Sequence, residues 1–307
     1  MKIAVMDIGT NNTRMAVFDI HAAGKPSISV ERDTITRLGE NLRKTGVLSD
    51  AAMARTLAAL TAYKNECDSV GVDKFAVAGT AAMRAASNSG SFINKVNDIG
   101  LPLEIIPGEL EAGLSFRGVI FGMDAPPERL LVIDVGGGST EFAYGECGRL
   151  TWAESLPVGA VVATEKYFRN DPPAPDEIAA LNDYIDSLIK ERILPHGPAG
   201  FALAGVAGTV STLAMIDLDL QYFDPKKVHG HILTPEKLAT ITKRLLEMNG
   251  AERAAIPGME PQRADIIHAG AAILNRAAAA LGSGPMLTSL CDLRHGLLER
   301  ALGESQP

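Results

Sequence analysis

The segment with the clearest chemical content is Asp134-Val135-Gly136-Gly137-Gly138-Ser139-Thr140-Glu141, which follows an apolar run over 129–133. Three glycines let a backbone come close to an anion, and successive N–H groups in such a turn converge on phosphate oxygens. Asp134 would stand too near that phosphate to touch it unless a divalent cation lay between them. Glu141 is placed to support the same cation, directly or through water. Mg²⁺ suits the arrangement, because it takes few protein carboxylates, keeps waters and accepts phosphate oxygens as further ligands. A purely structural glycine hairpin is the alternative for one such turn. It is not a Walker A loop, since no lysine follows at the required spacing.

A second turn of the same kind, Asp7-Ile8-Gly9-Thr10-Asn11-Asn12, lies near the N-terminus. Alone it carries little. The two aspartates are 134 − 7 = 127 residues apart, a whole domain rather than a solenoid period, which points to a duplicated domain. Two such turns facing across a cleft would grip one phosphate chain from both sides. Between them Pro107-Gly108 opens a helical pattern with Glu109 and Glu111 in its first turn. Those acids either complement the helix dipole or supply a general base that deprotonates an attacking water. Arg84, in Thr80-Ala81-Ala82-Met83-Arg84, is a candidate for a bidentate phosphate contact. Arg14, Arg37, Arg43 and Lys44 are further basic candidates. His229-Gly230-His231 has no third ligand nearby and is read as structural rather than metal-binding.

The elements that must position these residues follow from pattern. Apolar runs at 2–6 and 13–20 around the first turn predict a β-hairpin, with a third strand over 26–37. Ser49 is a good N-cap for a helix over 50–63. Strands are expected at 74–78 and 103–106, and helices at 91–99 and 109–121. The pattern then restarts: a strand over 129–133, the glycine turn, and a returning strand over 141–144. Helices are read over 161–168, 175–194, 235–248, 265–280 and 293–302, with strands at 201–203 and 285–287. The segment Gly205-Val206-Ala207-Gly208-Thr209 reads as a turn leading into one more helix. The expected division is a first domain over 1–124, completed by the C-terminal helix 293–307, and a second over 125–292.

Composition bounds the ligand. With 307 residues, 46% apolar and 21% charged, the chain has the balance of a soluble globular protein of two domains. A net charge of −8 does not draw nucleic acid or anionic membrane, so a polyanion must be held by local cations, backbone amides or a metal. Cys67, Cys147 and Cys291 are scattered and form no CxxC, which suggests neither a disulfide framework nor zinc. No signal peptide or apolar span is apparent, and a reducing cytoplasmic setting is expected.

Assembled, these motifs resemble the exopolyphosphatase/guanosine pentaphosphate phosphatase family, within the superfamily of actin, sugar kinases and 70-kDa heat-shock ATPases. The resemblance runs through the turn at 6–11, Thr80–Arg84, Pro107–Ala112 and Ile133–Glu141. It continues through Ser155–Ala160, Gly208-Thr209, Lys227–Gly230 and Arg263–Asp265, and closes with Leu293-Arg294-His295-Gly296. It implies an α/β fold of two similar actin-like (ribonuclease H-like) domains, each a mixed sheet flanked by helices, with a cleft between them. It makes Glu111 the general base and sets Asp134, Glu141 and Gly136 at a magnesium and phosphate site. Asp7, Gly9, Thr10, Asn11, Arg84, Gly136, Gly137, Gly138, Ser139 and Thr140 become phosphate contacts. Arg14, Arg263, Gly208 and Thr209 fall at the outer part of the ligand.

The expected activity is Mg²⁺-dependent release of orthophosphate from the end of inorganic polyphosphate. Guanosine pentaphosphate, cleaved at its 5′ γ-phosphate, is the alternative substrate. A non-catalytic polyphosphate or alarmone sensor is a further reading, which the presence of Glu111, Asp134 and Glu141 opposes. Neither nucleic acid nor membrane is expected as a partner, and the resemblance alone carries the expectation of a homodimer. Four positions depart from the family pattern: Leu110, Asn12, His295 and Ala207. The chain also resembles the short, two-domain members.

Overall fold

The first apolar run forms β1 (Lys2–Ile8), and the turn formers after it fold the chain back into β2 (Asn12–Asp19) and then β3 (Ser27–Ile35). The computed structural model describes residues 1–22, 24–196 and 200–303. A short α1 (Leu42–Thr45) precedes α2 (Asp50–Ser69), whose N-cap Ser49 accepts the Ala52 N–H as its residue type predicts. Then come β4 (Lys74–Gly79), α3 (Ala81–Ala85), α4 (Ser89–Asp98), β5 (Leu103–Ile105) and α5 (Gly108–Gly122). The second half repeats the opening with β6 (Arg129–Val135), β7 (Thr140–Glu146) and β8 (Arg149–Leu156). It continues through α6 (Ala160–Tyr167), α7 (Pro175–Leu188), β9 (Ala202–Val206) and α8 (Ala207–Asp217). The remainder is α9 (Pro225–Val228), β10 (Ile232–Leu233), α10 (Pro235–Glu247), α11 (Gly250–Ala254), α12 (Ile267–Ala280), β11 (Met286–Thr288) and α13 (Leu293–Gly303).

The strands make two mixed sheets, ordered β3-β2-β1-β4-β5 and β10-β11-β9-β6-β7-β8. Read outward from β1 and from β6, both run antiparallel through a meander on one side and parallel for two strands on the other, where the second sheet adds β10 antiparallel to β11. Only β10 has no counterpart in the first sheet. The duplication reaches into detail. A register break falls at Val17, 17 − 7 = 10 residues after Asp7, and another at Tyr144, 144 − 134 = 10 residues after Asp134.

Each sheet has its own apolar core, one built on Met6, Val17, Leu60 and Phe92, the other on Ile133, Phe142, Ile185 and Leu274. A further cluster joins Ile3, Val5 and Phe18 of the first sheet to Leu114 of α5 and Leu293, Leu297 and Leu298 of α13. Ala112, Phe116 and Val119 on α5 pack instead against Leu130, Val132 and Ala143 of the second sheet. The α5 helix is therefore shared by both halves, which matters because it carries Glu111. Of the expected C-terminal helix 293–307, residues 304–307 lie outside the described residues.

Three readings shift on folding. β8 was not expected, and the turn expected at 205–209 does not exist: β9 runs straight into α8. The helix read over 175–194 is α-helical to Leu188 and continues as a wider turn over Ile189–Ile193. Among the described residues no helix is long and apolar enough to cross a membrane.

Candidate active site

The two Asp-Gly turns adopt the same hydrogen bond. Gly9 N–H donates to Asn12 C=O at 2.9 Å, and Gly136 N–H donates to Ser139 C=O at 3.1 Å. In both turns the donor is two residues and the acceptor five residues beyond the aspartate. The amides of Thr10, Asn11, Gly137 and Gly138 are left without a backbone acceptor among the described residues. Such amides are what an anion needs.

The turns also touch. A Cβ on Gly138 would come within 2.4 Å of Thr10 Oγ1 and 2.8 Å of Ala81 Cβ, so only glycine permits this approach. The space they enclose is small, about 60 Å³, enough for several waters. Its walls bring together Asp7, Gly9, Thr10, Asn11, Arg14, Glu111, Asp134, Gly136, Gly137, Gly138, Ser139, Gly208, Thr209 and Arg263. Every one of these is a residue expected from the sequence to meet a ligand. Arg84, Thr140 and Glu141 do not line it. Thr140 Oγ1 donates to Val158 C=O at 2.6 Å and is fully buried, which ties it to the fold. Arg84 lies between two carboxylates, donating to Glu111 Oε2 at 2.6 Å with Glu141 Oε1 at 3.9 Å. Glu141 is buried behind the cleft and accepts from Ser155 Oγ at 2.7 Å.

Four buried carboxylates crowd this region, and burial pushes each upward. Asp7 rises to about 6 through burial, against the opposing charge of Arg14. Asp134 also rises to about 6, and burial outweighs Arg14 and the hydroxyl of Ser115 there. Glu141 rises to about 8, through burial first and the Asp134 charge second. Glu111 is raised well above the usual range by burial and the Glu141 charge, while Arg84 pulls it back. The region is short of positive charge.

That deficit is a test of whether a divalent cation fits. The donors are all oxygen, and two of them, Asp7 Oδ1 and Thr10 Oγ1, are buried without a hydrogen-bond partner among the described residues. Among the described residues no group of three or more His, Cys, Asp or Glu side chains is arranged as a metal cluster. A hard cation held by one or two carboxylates and by substrate oxygens fits such a donor set, and a fully protein-coordinated ion does not.

Several contributors had not been singled out. Ser115 Oγ donates to Asp134 Oδ2 at 3.0 Å from α5, one turn beyond Glu111; the i, i+4 spacing on one helix face was the available signal. Asp292 accepts from Arg14 NH1 at 2.8 Å and from Arg294 Nε and NH2, both at 3.1 Å. Despite burial, Arg294, His295 and Arg14, in that order, hold Asp292 well below the usual carboxylate range. The other candidates go elsewhere. Arg37 pairs with Asp265 at 2.9 Å, and Arg43 and Lys44 close the exposed helix α1. His231 bonds Asp217 at 2.7 Å, while His229 Nδ1 accepts from Leu290 N–H. Leu110 joins the apolar cluster under α13, Asn12 donates to Asp33, and the His295 ring meets Phe18 edge-on at 5.3 Å. Ala207 adopts φ 69°, a backbone region that favours glycine.

A family model described as the Ppx/GppA phosphatase family matches residues 17–305. The chain belongs to the Ppx/GppA phosphatase family. Exopolyphosphatase 2 of Mycobacterium tuberculosis is 31% identical over 97% of this chain and 96% of its own. Among solved structures, the Ppx/GppA family member of Aquifex aeolicus is 30% identical, with a TM-score of 0.85 over 100% of this chain and 99% of that one. An exopolyphosphatase from Cytophaga hutchinsonii is 26% identical, with a TM-score of 0.89 over 99% and 98%. This Ppx/GppA chain thus has the actin-like pair of mixed sheets flanked by helices, and it is a phosphatase-family enzyme.

Proposed function

We propose that the protein is an exopolyphosphatase, hydrolysing the terminal phosphoanhydride of inorganic polyphosphate and releasing orthophosphate. The observation that carries this is the meeting of both Asp-Gly turns around a space of about 60 Å³ with Glu111 on its wall. A space of that size accepts an end group and not the middle of a chain, which is the requirement for exo cleavage. The rest of the chain would continue into an adjoining cavity of about 900 Å³, which shares Arg14, Ala207, Gly208 and Arg263 with the inner space.

In this reading Glu111 takes a proton from the attacking water. Burial and the Glu141 charge raise its pKa and so strengthen it as a base, while Arg84 opposes that shift and holds the carboxylate in place. The free amides of the two turns face the terminal phosphoryl oxygens and offset charge as it develops there. Arg14 and Arg263 receive the following phosphates. Asp134, Glu141 and the Gly136 backbone would hold Mg²⁺, which would supply charge neutralisation at the phosphoryl oxygens. Ser115 and Ser155 orient the two carboxylates. A cytoplasmic setting and a homodimer belong to the same proposal.

One observation favours a second substrate. The outer cavity is walled by the exposed rings of Tyr222 and Phe223 as well as by Ile28 and Met215, surfaces suited to a nucleobase. Its arginines are already paired, Arg14 with Asp292, Arg294 with Glu31 and Arg263 with Glu260. Guanosine pentaphosphate would place a short phosphate arm inside and its base outside. Phosphate release measured side by side on polyphosphate and guanosine pentaphosphate, with and without Mg²⁺, tests both. Polyphosphate turnover supports the first reading, and release from the nucleotide alone replaces it.

A further inference from the structure

The inner and outer cavities share two guanidinium groups, those of Arg14 and Arg263. Arg14 NH1 donates to Asp292 Oδ2 at 2.8 Å, and its NH2 stands 3.6 Å from Asp7 Oδ2. Its Nε is buried and has no hydrogen-bond partner among the described residues. A buried N–H left unmade is costly, so its orientation needs an explanation. A carboxylate beside a polyanion site needs one too, because it repels the ligand it borders.

Both features are resolved by the way Asp292 is seated. Its carboxylate is almost fully buried and takes two side-chain bonds and one backbone bond from Arg294, at 3.1, 3.1 and 3.0 Å. Arg294 is held in turn by Glu31 at 2.6 Å. The main chain of Asp292 is pinned as well. A Cβ added to Gly118 of α5 would lie 2.0 Å from the Asp292 carbonyl oxygen, so the helix that carries Glu111 packs directly on this residue. Neither the backbone nor the carboxyl group of Asp292 is free to turn, and its Oδ2 bridges the two guanidinium groups, accepting from both Arg294 NH2 and Arg14 NH1.

We propose that Asp292 is a positioning residue, which fixes the Arg14 guanidinium at the junction of the two cavities so that it receives the phosphate behind the reacting group. The inference rests on the phosphate-chain reading of the cleft. The Asp292 carboxylate ties Arg14 to Arg294 and so holds the Arg14 guanidinium at the junction. A charge-assisted contact of this kind is worth about 10- to 100-fold in binding.

The test uses the full chain carrying Glu111→Gln, with Mg²⁺, titrated calorimetrically with tripolyphosphate. Asp292→Asn should weaken binding about 10-fold or more, Arg14→Gln about as much, and the double variant no further than the weaker single one. Additive losses, or unchanged binding in a folded Asp292→Asn protein, would overturn the proposal. If Asp292→Asn does not fold, Asp292→Glu keeps the charge Arg294 needs and displaces the carboxylate from Arg14. Weakened binding at an unchanged thermal midpoint then supports the positioning role, and unchanged binding overturns it. Should the unsubstituted protein release no phosphate while the coupling persists, the hydrolase reading falls and the positioning role stands.

Discussion

In the N-terminal half Asp7 faces Arg14 across the β1–β2 hairpin, whereas the C-terminal half places Glu141 opposite Asp134 at the same step of β6–β7. The backbones around these pairs match down to the turn hydrogen bond and the register break ten residues on. What differs is the sign of one charge. Arg14 stands 3.6 Å from Asp7, so that turn has a cation facing its aspartate, shared with Asp292 and the ligand cavity. Glu141 adds a second anion behind Asp134, and this turn is neutral only when protons or a metal ion are supplied. Duplication gives two equivalent cradles, and the one residue facing the aspartate makes the first a grip and the second a candidate metal seat.

The comparison is tested most severely by the residue that serves neither turn alone. Glu111→Gln should lower phosphate release about 10²- to 10⁴-fold while leaving tripolyphosphate binding within about threefold, as loss of a general base does. Turnover close to that of the unsubstituted protein would remove Glu111 from the mechanism. The next largest effect separates the halves. Glu141→Gln should weaken Mg²⁺ activation about 10- to 100-fold, and Arg14→Gln should leave the Mg²⁺ dependence of turnover unchanged while raising KM. Equal shifts in the Mg²⁺ titration of both variants would break the division of labour.

The asymmetry was only half legible in the sequence. Both turns announce themselves, because Asp, Gly and Asn cluster locally and the chemistry of a turn is short-range. Arg14 and Glu141 lie seven residues after their aspartates, and a hairpin prediction already implies that they face them. Asp292 could not be found this way, since its partner Arg14 is 278 residues distant and no periodicity links them. β8 escaped because Arg149–Leu156 is a half-exposed edge strand without a clean alternation of apolar residues. The expected turn at 205–209 failed for a different reason: two glycines suggested a loop, but Gly205 sits in β9 and Gly208 in α8. Tertiary packing overrode the local signal there.

In chelator, the burial of Glu141 should appear as pH-dependent stability. Glu141 goes from an ordinary 4.5 to about 8, so between those values the folded chain binds more protons than the unfolded chain. Stability therefore falls as pH rises through that window. Glu141→Gln removes the effect, and at pH 8 to 9 the variant should melt above the unsubstituted protein, by about 2–4 °C for each kcal/mol recovered. The gap should close near pH 4.5 and on adding Mg²⁺. Asp7 rises only from 3.8 to about 6, so Asp7→Asn should show a shorter window that ends near pH 6. Thermal melts across pH that show identical windows for the two variants would mean that the halves do not differ in charge as described.

The smallest expected effect concerns how each half leads its inner strand into a helix. In the first half Thr80 separates β4 from α3 with an ordinary negative φ of −114°. In the second half β9 enters α8 without a spacer, and Ala207 absorbs the reversal at φ 69°. A non-glycine residue there costs about 1–2 kcal/mol. Replacing it by glycine forfeits about 0.5–1 kcal/mol in chain entropy, so Ala207→Gly should be neutral to about 1 kcal/mol stabilising. Thermal or urea melts would read this as a midpoint unchanged or raised by about 2–4 °C. Ala81→Gly, at the first residue of α3, has no positive φ to relieve and should only destabilise. If both glycines lower stability alike, Ala207 is not strained, and the direct strand-to-helix junction is held by its surroundings without cost to the backbone.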